Sequence, residues 1–158
     1  ATAVAQISKE SDLKLQQLER AFKTDPSAQN LNEYCDFLGE YLGSGLAEGR
    51  VAQIQRQQYA RLLARRCERE DTLELRIRYA TALADVGQID EAQAVTDQLV
   101  LDVPEEQEVW RLCLRLAVMR RDGDEVHRVI DAIDKQHVYL TAANREELAF
   151  WRNGEEAR

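Results

Sequence analysis

Hydrophobic residues recur along this chain at intervals of three and four positions, which is the spacing of one face of an α-helix. A clear stretch follows Pro26, where apolar side chains return once per turn (Leu31, Tyr34, Cys35, Leu38, Tyr41 and Leu42). Every periodic segment fits this 3.6-residue period rather than the two-residue period of a strand. The pattern therefore predicts an all-α protein with about seven helices and no strands.

Residues 73–106 are the most informative segment, because they carry two helices and the turn between them. Apolar or small side chains line both helices (Tyr79, Ala80, Leu83, Ala92, Val95 and Leu99). Gly87 stands where a helix needs a left-handed exit, since glycine has no Cβ to clash there. Pro104, with its fixed φ, is suited to the first turn of a third helix. The segment predicts an antiparallel helical hairpin, which cannot bury its second face alone.

This segment resembles the tetratricopeptide repeat (TPR), a family of 34-residue helix pairs that stack into a right-handed solenoid. The resemblance is carried by a large-then-small pair, a core leucine, the turn and its aliphatic neighbour, a small residue and a closing proline (Tyr79, Ala80, Leu83, Val86, Gly87, Ile89, Ala92 and Pro104). Arg76 and Thr96 depart from it, because the family often has Trp and usually has Phe there. The resemblance implies one TPR-like domain over residues 1–158.

The rest of the chain follows this organisation less closely. Residues 28–72 predict an atypical repeat, in which Asp71 is expected to cap the helix that follows it. Its long second helix, roughly 46–69, is predicted to bury one apolar face (Val51, Ile54, Tyr59, Leu62, Leu63 and Cys67). Residues 107–138 predict a third hairpin, with a turn at 121–124 that is displaced by about two residues from the spacing of the middle repeat. Thr141 can cap a last, unpaired helix at about 141–153, so we expect the chain to be a fragment of a longer protein.

In the tetratricopeptide family the ligand usually lies along the concave face, which the first helices of successive repeats line. By that resemblance, the partner-binding positions of this chain are Asn32, Asp36, Glu40, Ile77, Thr81, Asp85, Arg111 and Arg115. Family members that grip a peptide C-terminus use Lys and Asn at such places, and Ile77 and Thr81 depart from that pattern. Ile77 indicates either an apolar contact with a ligand or packing at a repeat junction.

Charge is unevenly distributed along this chain, whose net charge is −8. Residues 50–78 hold eight arginines and four acidic residues, whereas the segments on either side are acidic. Arg61, Arg65 and Arg69 are spaced i, i+4 and i+8, which puts them on one stripe of a helix. The stripe is either a patch for an anionic partner, since guanidinium groups match carboxylates and phosphates, or a solvated surface paired with neighbouring Glu and Asp. We expect no nucleic-acid binding, because the chain is acidic and lacks aromatic residues beside these arginines.

No catalytic or metal-binding pattern is recognisable in the sequence. His127 and His137 are ten residues apart, which is not a metal-ligand spacing, and the common nucleophile and phosphate-binding motifs are absent. Cys35, Cys67 and Cys113 each fall on an apolar helix face and are expected to be buried thiols. We therefore expect no catalytic residue, no metal and no cofactor. No apolar run approaches the 18 or more residues of a membrane span, so direct membrane insertion is not expected.

Two interpretations of function remain open. The first is a non-catalytic protein–protein interaction scaffold that binds a partner peptide or domain through the concave face. The second is a structural spacer or self-assembly module of a bacterial envelope export system for polysaccharide or protein. Homo-oligomers through the open ends of the solenoid would fit either interpretation. The excess of arginine over lysine, 17 to 4, hints at a bacterial source, and the compartment, cytoplasm or periplasm, stays open.

Overall fold

The computed structural model describes residues 3–136 and 140–156, and all regular secondary structure in these residues is α-helical. The helices are α1 (Ala3–Thr24), α2 (Ala28–Gly43), α3 (Gly49–Arg69), α4 (Leu73–Asp85), α5 (Ile89–Asp102), α6 (Gln107–Met119), α7 (Gly123–Lys135) and α8 (Ala142–Glu156). The all-α prediction is confirmed, with eight helices in the described part where about seven were expected. His137 and the last residue of the predicted third hairpin lie outside the described residues.

The chain divides into two compact units, Ala1–Leu75 and Arg76–Arg158. In unit 1, α2 packs against both α1 and α3. Buried apolar side chains of these three helices form its core (Leu15, Phe22, Leu31, Tyr34, Cys35, Leu38, Tyr41, Ala52, Ala60, Leu62 and Leu63). Between α2 and α1, the hydroxyl of Tyr41 donates a 2.5 Å hydrogen bond to the carboxylate of Asp12, which raises the pKa of Tyr41 to about 12.

Two contacts with α2 set the face that α3 buries. The ring of Tyr59 lies so close to Gly39 that a Cβ at position 39 would come within 2.8 Å of the Tyr59 oxygen. One turn before the end of α3, the buried Arg66 donates a hydrogen bond of 2.6 Å to Asp36. Together these contacts orient α3 so that Ala52 and Leu63 point into the core.

The prediction of the buried face of α3 is therefore wrong at the N-terminal end of the helix. Val51 is 61% exposed and Ile54 is 57% exposed, although both were predicted to lie on the buried face. Leu62 and Leu63 are buried as predicted, whereas Tyr59 and Cys67 are half-buried. The helix also begins at Gly49, about three residues later than the periodicity predicted.

Unit 2 contains most of α4 and all of α5 to α8, and two of its helix pairs share one register. Helix α6 begins 34 residues after α4, at Gln107 and Leu73. Helix α7 likewise begins 34 residues after α5, at Gly123 and Ile89. Both steps match the tetratricopeptide period of about 34 residues. One buried cluster joins α4, α5 and α6 (Leu83, Ala84, Ala92 and Leu116). Another joins α6, α7 and α8 (Trp110, Cys113, Leu114, Ala117, Val126, Val129, Ile130, Ile133 and Leu148). Because α6 contributes to both clusters, it holds the two pairs together.

The turns that end α4 and α6 have the same backbone geometry although their sequences differ. Gly87 has φ of +76°, and Arg121, at the equivalent position one period later, has φ of +55°. In each turn the N–H of the following residue reaches back across the turn to a carbonyl of the helix, which is the wider hydrogen bond of a Schellman motif. Gln88 donates to Leu83 at 3.0 Å, and the equivalent donor and acceptor of the second turn are 3.2 Å apart.

The predicted displacement of the third turn is consequently wrong. The left-handed residue is Arg121 rather than Gly123, so the exit from α6 keeps the spacing of the middle repeat. Gly123 is instead the first residue of α7. The side chain of Asp122 caps this helix by accepting a hydrogen bond of 3.1 Å from the N–H of Glu125.

The other predicted helix starts have mixed outcomes. Asp71 was predicted to cap α4, but the helix begins at Leu73, one residue later than that cap implies. The cap is Thr72 instead, whose hydroxyl accepts a hydrogen bond of 3.2 Å from the N–H of Leu75. Pro104 lies in the turn before α6 rather than in its first helical turn, and its carbonyl accepts the indole N–H of Trp110 at 2.6 Å. Thr141 caps α8 as predicted, although the helix runs further, to Glu156, and packs against α7.

Replacing Gly87 with Ala should lower the free energy of unfolding by about 1–2 kcal/mol, because the left-handed region costs an L-residue roughly that amount. The midpoint of urea unfolding measures the change. Gly43→Ala is the matched control, since Gly43 lies in the last turn of α2 without a positive φ and a Cβ there meets nothing within 4 Å. The control should leave stability unchanged or slightly raise it. Equal losses in the two variants would contradict the left-handed exit at Gly87.

Ala92→Leu should destabilise the protein by about 1–3 kcal/mol, because the added carbons would overpack the cluster that Ala92 forms with Leu83, Ala84 and Leu116. Ala94→Leu is the control, since position 94 lies exposed on the same helix. Thermal unfolding followed by circular dichroism compares the two. An unchanged midpoint in Ala92→Leu would show that α4 and α5 do not meet at this residue.

Candidate functional site

Alternate helices of unit 2, α4, α6 and α8, enclose a groove of about 210 Å³. Apolar and charged side chains line it together (Thr81, Glu108, Arg111, Leu112, Leu114, Arg115, Val118, Glu147 and Trp151). Six of these nine residues come from α6 and are spread over about three turns of the helix. We call this cavity the α6 groove.

Three of the eight predicted partner-binding residues line the α6 groove, namely Thr81, Arg111 and Arg115. Asp85 lies beside it, since its carboxylate accepts a hydrogen bond of 2.7 Å from Arg115. Ile77 is half-buried and is not among the lining residues, but its carbonyl accepts the hydroxyl proton of Thr81 at 2.8 Å. The structure therefore brings four predicted residues together, with Ile77 one turn away.

The remaining three predicted residues lie on α2 of unit 1. Asn32 is half-buried, and Asp36 and Glu40 are exposed. Asp36 is engaged in the packing of α3 on α2 through its hydrogen bond with Arg66. Burial works to lower the pKa of Arg66, but hydrogen bonds with Cys35 and Asp36 outweigh it, so the pKa of this guanidinium is raised. Asp36 therefore stabilises unit 1 itself.

Carboxylates hold both arginines of the α6 groove. Arg111 lies 3.2 Å from Glu108 and 3.6 Å from Glu147, and Arg115 lies 2.7 Å from Asp85. All five side chains are between 43% and 47% exposed, and ion pairs so open to water contribute only about 0–1 kcal/mol each. The pairs therefore orient the arginines without locking them. Three carboxylates against two guanidiniums also give the groove no preference for a peptide C-terminus.

Side-chain hydrogen bonds position α8, which forms one wall of the groove. The side-chain oxygen of Gln107, at the start of α6, accepts the N–H of Thr141 at 3.0 Å and the amide N–H of Asn144 at 3.1 Å. Asn144 is buried, so this pairing satisfies a group that would be costly to leave unbonded. Near the other end of α8, Arg152 donates to Asp134 of α7 at 2.7 Å. These bonds fix the orientation from which α8 faces the groove.

Sequence reasoning missed the contributions of Glu108, Glu147 and Trp151. Trp151 could have been found from the sequence, because it follows Leu148 by three residues and therefore lies on the same face of α8 as that core residue. The ring of Phe150 packs edge-on against Trp151, with 5.2 Å between the ring centroids, and is itself 67% exposed. The two glutamates carried no such signal, since exposed glutamates are ordinary on any helix surface.

The arginine stripe lies on α3 of unit 1, with Arg61, Arg65 and Arg69 all exposed. The guanidinium carbon of Arg65 lies 5.4 Å from the centroid of the Phe22 ring, which is a cation–π distance. Neither Arg61 nor Arg69 forms an ion pair with another residue of the part that the structure describes. For these two residues, the alternative of pairing with neighbouring Glu and Asp is not realised.

Among residues 3–136 and 140–156, no three histidine, cysteine or acidic side chains converge as a metal site would require. In the same residues, none of the helices combines the length and the apolarity that crossing a bilayer requires.

A second cavity, of about 280 Å³, lies among α5, α6 and α7 and is reached by Cys113. Burial is the main reason that the pKa of Cys113 is raised to about 12, and the carboxylates of Asp97 and Glu125 add to the effect. The prediction of buried thiols is confirmed for Cys35 and Cys113, whereas Cys67 is half-buried, and none of the three forms a disulfide. A thiol with so high a pKa is a poor nucleophile.

Comparisons of the chain with protein-family models, with curated proteins and with solved structures find no match.

Iodoacetamide should leave Cys113 unmodified in the folded protein near pH 8, because a thiol with a pKa of about 12 is almost wholly protonated there and only the thiolate reacts. Cys67, which is half-buried, should be alkylated first. Peptide mass spectrometry after timed labelling identifies the modified cysteines, and labelling in urea provides the fully reactive control. Rapid alkylation of Cys113 in the native protein would contradict the packing of α6 against α5 and α7.

Proposed function

We propose that this chain is a non-catalytic interaction module whose α6 groove binds a segment of a partner protein. The observation that carries the proposal is the convergence of Thr81, Arg111 and Arg115, from α4 and α6, on one cavity with Trp151 of α8. The first three of these were nominated from the family resemblance alone. A resemblance that had no bearing on this chain would give no reason for positions on two different helices to share a cavity.

The proposal includes a finer description of the fold, a TPR-like solenoid with right-handed stacking. Its support is the common register that α4 and α5 share with α6 and α7. The left-handed exits at Gly87 and Arg121 repeat at the same interval. In such a solenoid, alternate helices line the concave face, and α4, α6 and α8 are alternate helices of unit 2.

The size and the lining of the groove favour side chains of a peptide over a small-molecule ligand. A volume of about 210 Å³ is below the roughly 300–1,000 Å³ typical of small-molecule pockets. Trp151 offers a rigid apolar ring together with an indole N–H donor. The hydroxyl of Thr81 donates its proton to the carbonyl of Ile77, so its oxygen keeps an acceptor site for a ligand. The weak ion pairs of Arg111 and Arg115 can open to admit a charged side chain.

Thr81→Arg should lower the affinity for peptides that bind in the α6 groove by about tenfold or more, equivalent to about 1.4 kcal/mol. The long side chain would fill the cavity beside Arg115. The peptides come from a random-peptide phage library selected on the immobilised full chain. Fluorescence polarisation with the synthetic peptides gives their affinities. Trp151→Ala, on a different helix, should weaken the same peptides.

Ala94→Arg is the matched control, since it adds the same charge at an exposed position of α5 and should leave the affinities unchanged. Circular dichroism establishes that all three variants keep the helical content and melting behaviour of the parent. Peptides that bind parent and Thr81→Arg equally would assign binding to another surface. A library that yields no binder would remove the proposal.

A further inference from the structure

A second surface, on α3 of unit 1, combines properties that the α6 groove does not use. Five exposed side chains fall within about 80° of arc at 3.6 residues per turn, and we call them the α3 stripe (Val51, Ile54, Arg61, Arg65 and Arg69). The buried Ala52 and Leu63 lie outside this arc, as does Arg66, which is bonded to Asp36 of α2. These five side chains are exposed, and the half-buried Gln58 lies in the same arc between the first two and the last three.

The α3 stripe has an apolar end and a basic end. Val51 and Ile54 are 61% and 57% exposed, although most side chains of their type are found in protein interiors. The basic end begins about 10 Å beyond Ile54 and runs for about 12 Å, from Arg61 to Arg69, at 1.5 Å per residue. A partner that covered the whole stripe would need apolar and anionic groups in that order along about 27 Å.

The positive charge of the basic end is only partly balanced by nearby carboxylates. Arg61 and Arg69 form no ion pair with the described residues. Glu68 borders the stripe, and with its charge counted the stripe still has an excess of two positive charges. Glu70 is directed to the other side, where it lies 4.0 Å from Arg66.

The middle arginine is held in place without losing its hydrogen-bond donors. The guanidinium carbon of Arg65 lies 5.4 Å from the centroid of the Phe22 ring, and Arg65 forms no hydrogen bond or ion pair with the residues that the structure describes. The N–H donors lie in the plane of the guanidinium and stay available for a carboxylate. Less conformational entropy is lost on binding when one arginine of the three is already ordered.

We propose that the α3 stripe docks an acidic amphipathic helix of a partner protein. Carboxylates spaced i, i+4 and i+8 on such a helix repeat about every 6 Å, which matches Arg61, Arg65 and Arg69. Apolar residues further along the same helix cover Val51 and Ile54, as in other helix-on-helix contacts. The apolar end favours a protein over a nucleic acid, and the net charge of −8 repels a long polyanion beyond the stripe.

The test uses a synthetic helical peptide of five to six turns. It carries glutamates at i, i+4 and i+8 and leucines further along the same face. A control copy of the peptide has Gln in place of each of those glutamates. Fluorescence polarisation with the full chain should show the glutamate peptide binding about tenfold more tightly. Its affinity should fall when salt is raised from about 50 to 500 mM, because screening shortens the reach of exposed charges.

Arg61→Gln combined with Arg69→Gln should weaken the glutamate peptide about fivefold, since two exposed ion pairs are lost while Arg65 stays on Phe22. Ile54→Gln should weaken both peptides. Arg20→Gln combined with Arg56→Gln is the matched control, because it makes the same change in net charge at exposed positions outside the stripe. The control should bind like the parent.

Four outcomes would each overturn the proposal. The first is a glutamate peptide that binds no better than its Gln copy, or not at all at about 1 mM. The second is a control double variant that loses as much affinity as the stripe variant. A DNA oligonucleotide that displaced the peptide at equal charge would make the stripe a general anion surface. Dimerisation of the chain that required Arg61 and Arg69, measured by analytical ultracentrifugation, would assign the stripe to a second copy.

Discussion

A residue in the left-handed conformation follows α4, at Gly87, and another follows α6, at Arg121, and the arrangement of unit 2 depends on this pair of exits. Each exit reverses the chain within a short turn, so that the next helix packs back on the previous one. Glycine adopts this conformation without cost, whereas an L-residue loses about 1–2 kcal/mol there. At Arg121 that loss is offset by the bond from Asp122 to the carbonyl of Ala117 and by the cap that Asp122 provides for α7.

The sequence predicts what local chemistry determines. The all-α fold, the glycine exit at Gly87 and the cap at Thr141 each follow from residues close together in the chain. The exit at Arg121 could not be predicted, because arginine carries no preference for a positive φ and the nearby Gly123 stands as a better candidate. The exposure of Val51 and Ile54 could not be predicted either, for a different reason. Periodicity shows that a helix has an apolar face, but which face is buried depends on the contacts of α3 with a different helix.

The candidate sites show the same division between local and tertiary information. Thr81, Arg111 and Arg115 could be nominated because a repeat register fixes which residues share a side of the helices. The pairing of these arginines with carboxylates could not be predicted, although Asp85 was itself a predicted site residue, since Asp85 lies on α4 and Glu147 on α8, both far along the chain from α6. The two candidate surfaces differ in this respect. Carboxylates accompany the arginines of the α6 groove, whereas two arginines of the α3 stripe have no carboxylate partner among the described residues.

The backbone angle at Arg121 tests the register of unit 2 most directly, because α7 and the helix that follows it take their positions from that residue. Solution NMR on isotope-labelled protein gives φ from the three-bond coupling and the intraresidue distance between the amide and α protons. We predict a positive φ at Arg121, a negative φ at Gly123 and slow exchange of the Asp122 amide proton, which is bonded to Ala117. A negative φ at Arg121 with a positive φ at Gly123 would shift the start of α7 and contradict the common register on which the α6 groove depends.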